Sequence, residues 1–290
     1  MKRGIAETAV ITGAGSGIGR AIAVAVARRG WKVGVLDIDM EGAAGTVELA
    51  VAAGGSGEAF RCDVTRLEDL EEAAEHFFGR WGKVGLLVNN AGIGGGGYVG
   101  ETTIADWERV IAVNFWGVLY GCHAFIPRMK AQGGGHIVNT ASTAGLMPVM
   151  MFAPYDTSKA AVVGLSETLK VELAPFNIGV TVLCPSCVKT NIIENSLKQV
   201  RLDSYEEKEW GMGVIQAGLD NSALTAGEVA EMLVRGIEKD RLYVLTSKYS
   251  RLVWSMIRLS PNLYYRIWAW LSRTGRAKDA IMGAAKRGQA

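Results

Sequence analysis

Histidine and cysteine are scarce in this chain of 290 residues, three and four in number, and neither is arranged to hold a metal. His76, His123 and His136 are scattered, and no second Cys/His pair stands at ligand spacing from Cys184 and Cys187. The Cys-x-x-Cys spacing of those two would suit a redox dithiol, but in a large chain of this kind Cys62, Cys122, Cys184 and Cys187 are expected to be free thiols. An excess of charge is lacking too: the formal net charge is +2, which gives no reason to expect a nucleic-acid partner. With 49% hydrophobic and 21% charged residues the composition excludes a disordered chain. The apolar stretch that follows the N-terminal Lys2 and Arg3 is too short for a signal peptide and runs directly into a Gly-rich loop, so the expected location is cytoplasmic. Neither a tandem repeat nor a linker divides the chain.

Short β-branched runs alternate with longer amphipathic stretches, the pattern of parallel βαβ units. The runs Ala9–Ile11, Lys32–Leu36, Glu58–Cys62, Gly85–Asn89, His136–Thr140, Gly179–Leu183 and Leu242–Leu245 predict seven strands. Helical patterns lie between them at about Gly17–Arg29, Met40–Ala53, Leu67–Trp81, Thr103–Lys130, Tyr155–Leu173 and Thr225–Lys239. Stretches such as Val84–Val88 are apolar almost throughout, as expected of a parallel sheet covered on both faces. The expected fold is α/β: one doubly wound domain over residues 1–249 with a seven-stranded parallel sheet, followed by a helical C-terminal extension over 250–290.

The segment Thr12-Gly-Ala-Gly-Ser-Gly-Ile-Gly19 lies between a strand and a helix, the context a dinucleotide-binding loop requires. Gly13 would allow the tight turn, Gly17 the approach of a pyrophosphate, and Gly19 the packing of helix on sheet. The helix N-terminus beyond them favours anions. About twenty residues further on, Asp37 can accept hydrogen bonds from ribose hydroxyls and would repel a 2′-phosphate. Neither Ser16 nor Ile38 offers a cation for that phosphate, so the expected cofactor is NAD rather than NADP. The plainer alternative is that Asp37 and Asp39 only cap the helix that starts near Met40.

Tyr155 and Lys159 stand four apart on a predicted helix and so share a face. A cation held beside a phenol favours the phenolate, which would suit Tyr155 to acid–base work at a pH well below its ordinary pKa of about 10. Ser142 precedes the Tyr by thirteen positions.

Together with Cys62-Asp63-Val64, Asn89-Asn-Ala-Gly92 and Asn114, these motifs make the chain resemble the short-chain dehydrogenases/reductases over residues 6 to 247. The resemblance implies a Rossmann fold and a catalytic set of Asn114, Ser142, Tyr155 and Lys159. Ser142 would hydrogen-bond the substrate oxygen, Tyr155 would carry the proton, Lys159 would lower the Tyr pKa and hold the nicotinamide ribose, and Asn114 would hold a water. It implies a cofactor site built from Gly13, Ser16, Gly17, Ile18 and Gly19, from Asp37 and Ile38, and from Cys62, Asp63 and Val64. Asn90, Ala91 and Gly92 belong to it as well, with Tyr155 and Lys159, and with Pro185, Ser186, Val188 and Thr190. One departure stands out: the family's usual Pro-Gly after the sixth strand is Pro185-Ser186 here. Because Ser reaches positive φ less readily than Gly, the backbone beside the nicotinamide is expected to differ slightly.

Ala144–Phe152 is apolar and Met-rich, and the resemblance implies that it borders the substrate pocket, which points to a hydrophobic secondary alcohol or ketone, such as a steroid, retinoid, terpenoid or long-chain compound. A role in core or subunit packing is the alternative, and residues 191–221 do not decide between them. The resemblance also implies a homodimer or homotetramer, formed through the helices at Thr103–Lys130 and Tyr155–Leu173. A catalytically silent NAD-binding sensor or scaffold is the competing function, and the intact Ser142, Tyr155 and Lys159 argue for the enzyme.

The last stretch differs in kind. Residues 250–290 hold eight Arg or Lys against Asp279 alone, a charge of +7, which leaves −5 on the remainder. Arg258 and Arg266 interrupt its apolar run, and each would cost about 2.5–3.5 kcal/mol at mid-bilayer, which argues against a spanning helix. Pro261 divides it into two pieces. It is either a basic amphipathic element in peripheral contact with an anionic membrane, or a cover packed on the substrate pocket or on another subunit. Packing on protein is the preferred expectation, since apolar helical stripes are usually buried there.

Overall fold

The computed structural model describes residues 5–148, 150–188, 213, 216 and 224–286. Seven strands form one parallel sheet: β1 (Thr8–Thr12), β2 (Lys32–Asp37), β3 (Ser56–Arg61), β4 (Leu86–Asn89), β5 (Gly135–Thr140), β6 (Ile178–Cys184) and β7 (Tyr243–Leu245). Their order is β3-β2-β1-β4-β5-β6-β7, so the direction of winding reverses between β1 and β4. That reversal leaves a crevice at the carboxyl ends of the strands, where ligands of open α/β sheets bind.

Alternate side chains feed two cores. Ala9, Ile11, Leu86 and Val88 face one side with α1 (Gly17–Ala27), α2 (Met40–Ala52) and α7 (Ala226–Glu238). Val10, Leu87, Ile137 and Val182 face the other, with α3 (Leu67–Trp81), α5 (Gly117–Ala131) and α6 (Ala153–Glu172). Both faces being covered, the central strands β4, β5 and β6 are wholly buried and mostly apolar. Three helices follow β7: α8 (Lys248–Leu259), α9 (Pro261–Arg273) and α10 (Ala277–Lys286), with Pro261 opening the second of them.

The long helix expected over Thr103–Lys130 is interrupted. α4 (Ile104–Ile111) leads into a π-helical turn at Ala112–Trp116 before α5 begins. The cause is Asn114, which is fully buried and spends its amide on backbone outside the helix, so the helix widens by one residue to aim it. The run Ile104–Ala131 is long and apolar enough by composition to cross a membrane. Its Val110, Val118, Phe125 and Met129 are instead buried in this protein's own core.

Candidate active site

At the end of β1 the chain turns through Gly13, whose φ is +61°, and enters α1 through Gly17, whose φ is +54°. A side chain at Gly13 would also strike the backbone of Ala91, its Cβ lying 2.7 Å from the Ala91 Cα. At Gly19 a Cβ would meet the Gly13 carbonyl oxygen at 2.3 Å and the Asn90 amide nitrogen at 2.5 Å. The loop is held from below by Thr12, whose hydroxyl accepts the amides of Asn90 and Ala91 at 2.9 and 3.1 Å. Asn90 donates in turn to the Thr12 and Gly13 carbonyls, each at 3.1 Å. Ser16, the N-cap of α1, makes no side-chain capping bond, so the first-turn N–H groups stay available to an anion. Ser16 is exposed, while Ile18 and Gly19 lie further in.

Asp37 ends β2, with one carboxylate oxygen accepting from Gly15 N at 2.8 Å and the other from Asp39 N at 3.0 Å. The helix-capping duty falls to Asp39, which accepts from Gly42 N at 3.1 Å. Asp37 therefore does not cap α2; its carboxylate is fixed across the Gly-rich loop, and exposed Ile38 follows it. Arg20 is the cation close by. Its guanidinium is committed to the Gly15 and Gly42 carbonyls and its Nε to the Thr46 hydroxyl, which ties the loop to α2. Beyond β3, Cys62 and Val64 are buried, and Asp63 accepts from the Thr65 amide and hydroxyl at 3.0 and 2.7 Å. A cradle of small residues, an uncapped helix N-terminus and an oriented carboxylate fit a dinucleotide.

Across the crevice, Ser142 follows β5 and accepts from Ala144 N at 3.1 Å; its hydroxyl also hydrogen-bonds the Tyr155 phenol. Lys159 is one helical turn beyond Tyr155 on α6, its ammonium 5.7 Å from the phenol ring centre. It donates to the Thr140 carbonyl at 3.0 Å. Gly92 leaves room on this side, since a Cβ there would stand 3.2 Å from both the Lys159 Nζ and the Asn114 Oδ1. Asn114 donates to the Ile93 carbonyl at 2.9 Å and to the Ser158 hydroxyl at 3.0 Å, and accepts from Ile93 N at 2.8 Å. Its side chain thus secures the strand end after β4 against α6; this is a positioning role beside the water-holding one expected from sequence.

Burial sets the charge states here. Desolvation pushes the Tyr155 phenol up to about 12 against the lowering effect of its Ser142 hydrogen bond, and pulls Lys159 down to about 8. The lowering of Tyr155 expected from Lys159 is not found: burial moves the phenol upward, and the opposing effect comes from Ser142. The same cost raises the Cys62, Cys122 and Cys184 thiols to about 12, and raises Cys187 as well. None of the four cysteines is in a disulfide, and burial disfavours the thiolate that redox chemistry or metal binding needs. Among the described residues, no group of His, Cys, Asp and Glu is placed to hold a metal.

After β6, Pro185 accepts the Thr143 amide at 3.0 Å, and the Ser186 hydroxyl and amide both reach the Thr246 hydroxyl, at 3.1 and 3.0 Å. Ser186 is not among the residues with positive φ, so replacing the family's Gly costs nothing on that ground. The backbone here does not ask for glycine, and the Ser gains a bond to the end of β7. Val188 is buried nearby, whereas Thr190 lies outside the described residues. In the Met-rich segment, Met151 is buried at φ +73°, a costly conformation held by the Gly97 amide on its carbonyl at 2.7 Å. Sequence reasoning missed Thr12, Arg20, Ser158 and Thr246; only Thr12, at the junction of strand and Gly-rich loop, carried a signal that could have marked it.

A dinucleotide cradle facing a Ser, Tyr and Lys across the sheet crevice defines a class of nicotinamide-dependent oxidoreductases. Residues 7–201 match the family model described as short chain dehydrogenase, and the chain belongs to that family. SadH of Mycobacterium tuberculosis, assigned as an oxidoreductase, is 35% identical over 264 residues, covering 90% of this chain and 93% of its own. A cyclohexanol dehydrogenase of Acinetobacter sp. is 39% identical over 188 residues, 64% of this chain and 75% of its own. The crystal structure of a short-chain dehydrogenase/reductase from Burkholderia phymatum in complex with NAD matches with a TM-score of 0.83 at 34% identity, over 91% of this chain and 97% of that one.

The steric reading of the loop is testable. Gly19→Ala is expected to weaken nicotinamide-dinucleotide binding about 10- to 100-fold, the range that overpacking by about 1–3 kcal/mol allows. Fluorescence titration of the nucleotide checks it, and affinity within twofold of wild type would show that the Gly13 carbonyl can move aside.

Proposed function

We propose that the protein is an NAD-dependent alcohol dehydrogenase or ketone reductase acting on a hydrophobic secondary alcohol or its ketone. The observation that carries this is the Ser142–Tyr155 hydrogen bond with Lys159 one turn away, at the crevice mouth opposite the Gly-rich cradle. When bound, NAD supplies the acceptor or donor of a hydride. Tyr155 takes the alcohol proton in oxidation and returns it in reduction; Ser142 holds the same oxygen by a hydrogen bond that strengthens as charge develops. Lys159 holds the nicotinamide ribose hydroxyls, and Asn114 fixes the wall behind it. NAD rather than NADP is favoured by the fixed Asp37 carboxylate and by the prior commitment of Arg20 to backbone carbonyls.

The apolar substrate class is supported by the Met-rich loop, in which Met151 is held in place by the Gly97 backbone, and agrees with the name of the cyclohexanol dehydrogenase relative. This reading includes a cytoplasmic location and a homodimer or homotetramer. Ile104, Trp116 and Val171, 71%, 44% and 77% exposed, leave apolar surface for that assembly on the helices expected to form it.

A panel of alicyclic, terpenoid, steroid and long-chain secondary alcohols, set against polyols and followed by nicotinamide absorbance, tests the reading. Higher kcat/KM on the apolar members is expected. Higher efficiency on polyols would overturn the substrate class, and NAD binding with no turnover on any member would favour the silent sensor.

A further inference from the structure

The helices after β7 carry apolar side chains on two faces, and only one of them is seated. Val253 is buried, the Trp254 ring lies 4.6 Å from that of Tyr243, and Tyr264, Trp268 and Leu271 form a half-buried stripe on α9. Arg258 fastens α8 to the catalytic body, reaching Glu167 and Tyr243 at 3.4 and 3.3 Å while lying over Trp254. The second face remains exposed. On α8 it comprises Leu252, Met256 and Leu259, 61%, 48% and 87% exposed; on α9, Leu263, Ile267 and Trp270, 58%, 49% and 51% exposed. Each set repeats at i, i+4, i+7 and so forms one stripe along its helix. Arg251, Arg266 and Arg273 are exposed on the same two helices, and Arg276 lies 5.6 Å over the Trp270 ring.

This exposed face leaves the two occupants outside the chain, another subunit or an anionic membrane, and charge selects between them. The segment from residue 250 onward carries +7 and the rest of the chain −5. A second copy seated on the same face through a two-fold interface would set this positive charge against itself. We infer that the exposed face of α8 and α9 docks on an anionic lipid surface. Leu, Ile and Trp enter the acyl boundary while Arg meets the headgroups. The element lies in the interface and does not cross it: the 13 residues of α9 extend about 20 Å, short of the roughly 30 Å hydrocarbon core. At the end of α9 the Ser272 hydroxyl is 3.9 Å from the Met150 sulfur, so docking would bring the Met-rich loop close to the same surface. The docking itself is independent of which substrate is turned over.

The test uses the full-length protein with phosphatidylglycerol-containing vesicles and with pure phosphatidylcholine vesicles, sedimented at low salt and at about 1 M, where the Debye length is about 3 Å. Binding to the anionic vesicles is expected, at least about tenfold weaker in high salt, with little binding to the neutral ones. A variant carrying Leu263→Ser, Ile267→Ser and Trp270→Ser should lose vesicle binding while keeping its melting temperature and NAD affinity. No binding to anionic vesicles at low salt, or binding unchanged in the triple variant, would overturn the inference. So would a wild type that ignores vesicles and sediments as a larger species than the variant, since the face would then join copies of the chain.

Discussion

Tyr155→Phe is expected to lower kcat by about two to four orders of magnitude, the usual worth of a positioned proton-transfer group, and to leave NAD affinity nearly intact. Phe keeps the ring that fills the wall beside Lys159 and removes only the hydroxyl that hydrogen-bonds Ser142. The pH profile should separate loss of chemistry from loss of shape. In the wild type, alcohol oxidation should accelerate as pH rises, because the phenol must give up its proton and burial holds that proton to about 12. Ketone reduction, which uses the protonated phenol, should stay flat over the same range and fall only as pH approaches about 12. The residual activity of the Phe variant should lose this dependence, since the titrating group is gone. Activity within about twofold of wild type on any alcohol would remove Tyr155 from the proton path.

The pattern that exposed this fold is the alternation of short apolar runs with amphipathic stretches, and each of the seven runs overlaps a strand. A parallel sheet buried on both faces writes itself into sequence in this way, because each central strand must be apolar on both sides. Edge strands are less legible. β3 runs over Ser56–Arg61 with only half-buried and exposed residues, so its limits could not be taken from hydropathy. The π-helical turn was invisible for a different reason. Apolar periodicity continues through Ile111, Val113 and Val118, and the one-residue widening is dictated by what the Asn114 amide bonds across space.

The site shows the same division. Gly13, Asp37, Ser142, Tyr155 and Lys159 belong to local motifs with a physical rationale at fixed spacing, whereas their supports are distant in sequence. The Thr246 hydroxyl that holds Ser186 is sixty positions away, and the Thr12 hydroxyl lies seventy-eight positions from the Asn90 amide. Only folding makes these neighbours. The Lys159–Tyr155 relation shows the limit of spacing in another way. The i, i+4 register places the cation by the ring, but register carries no information about desolvation, which governs both groups.

A change at the ribose end of the cradle should alter cofactor choice by a comparable amount. The wild type is expected to prefer NAD, and the pair Asp37→Ala with Ile38→Arg to shift the NAD-to-NADP ratio of kcat/KM toward NADP by on the order of 100-fold, about 2.7 kcal/mol. The shift has two sources. The Asp37 carboxylate repels a 2′-phosphate, and an Arg at the exposed position 38 adds a bidentate partner for it. The carboxylate has a second function in this chain, accepting from Gly15 N at 2.8 Å and Asp39 N at 3.0 Å. Its removal leaves both amides without an acceptor and loosens the Gly-rich loop, so the variant should be slower with either cofactor even as its preference turns. Asp37→Asn separates the two effects, because the amide oxygen still accepts one backbone N–H while the negative charge is lost. It should move the ratio partway at a smaller cost in rate. Steady-state kinetics with both nucleotides on the three proteins decides the matter. A wild-type preference for NADP, or an unchanged ratio in the double variant, would mean that Asp37 serves the loop and not the ribose.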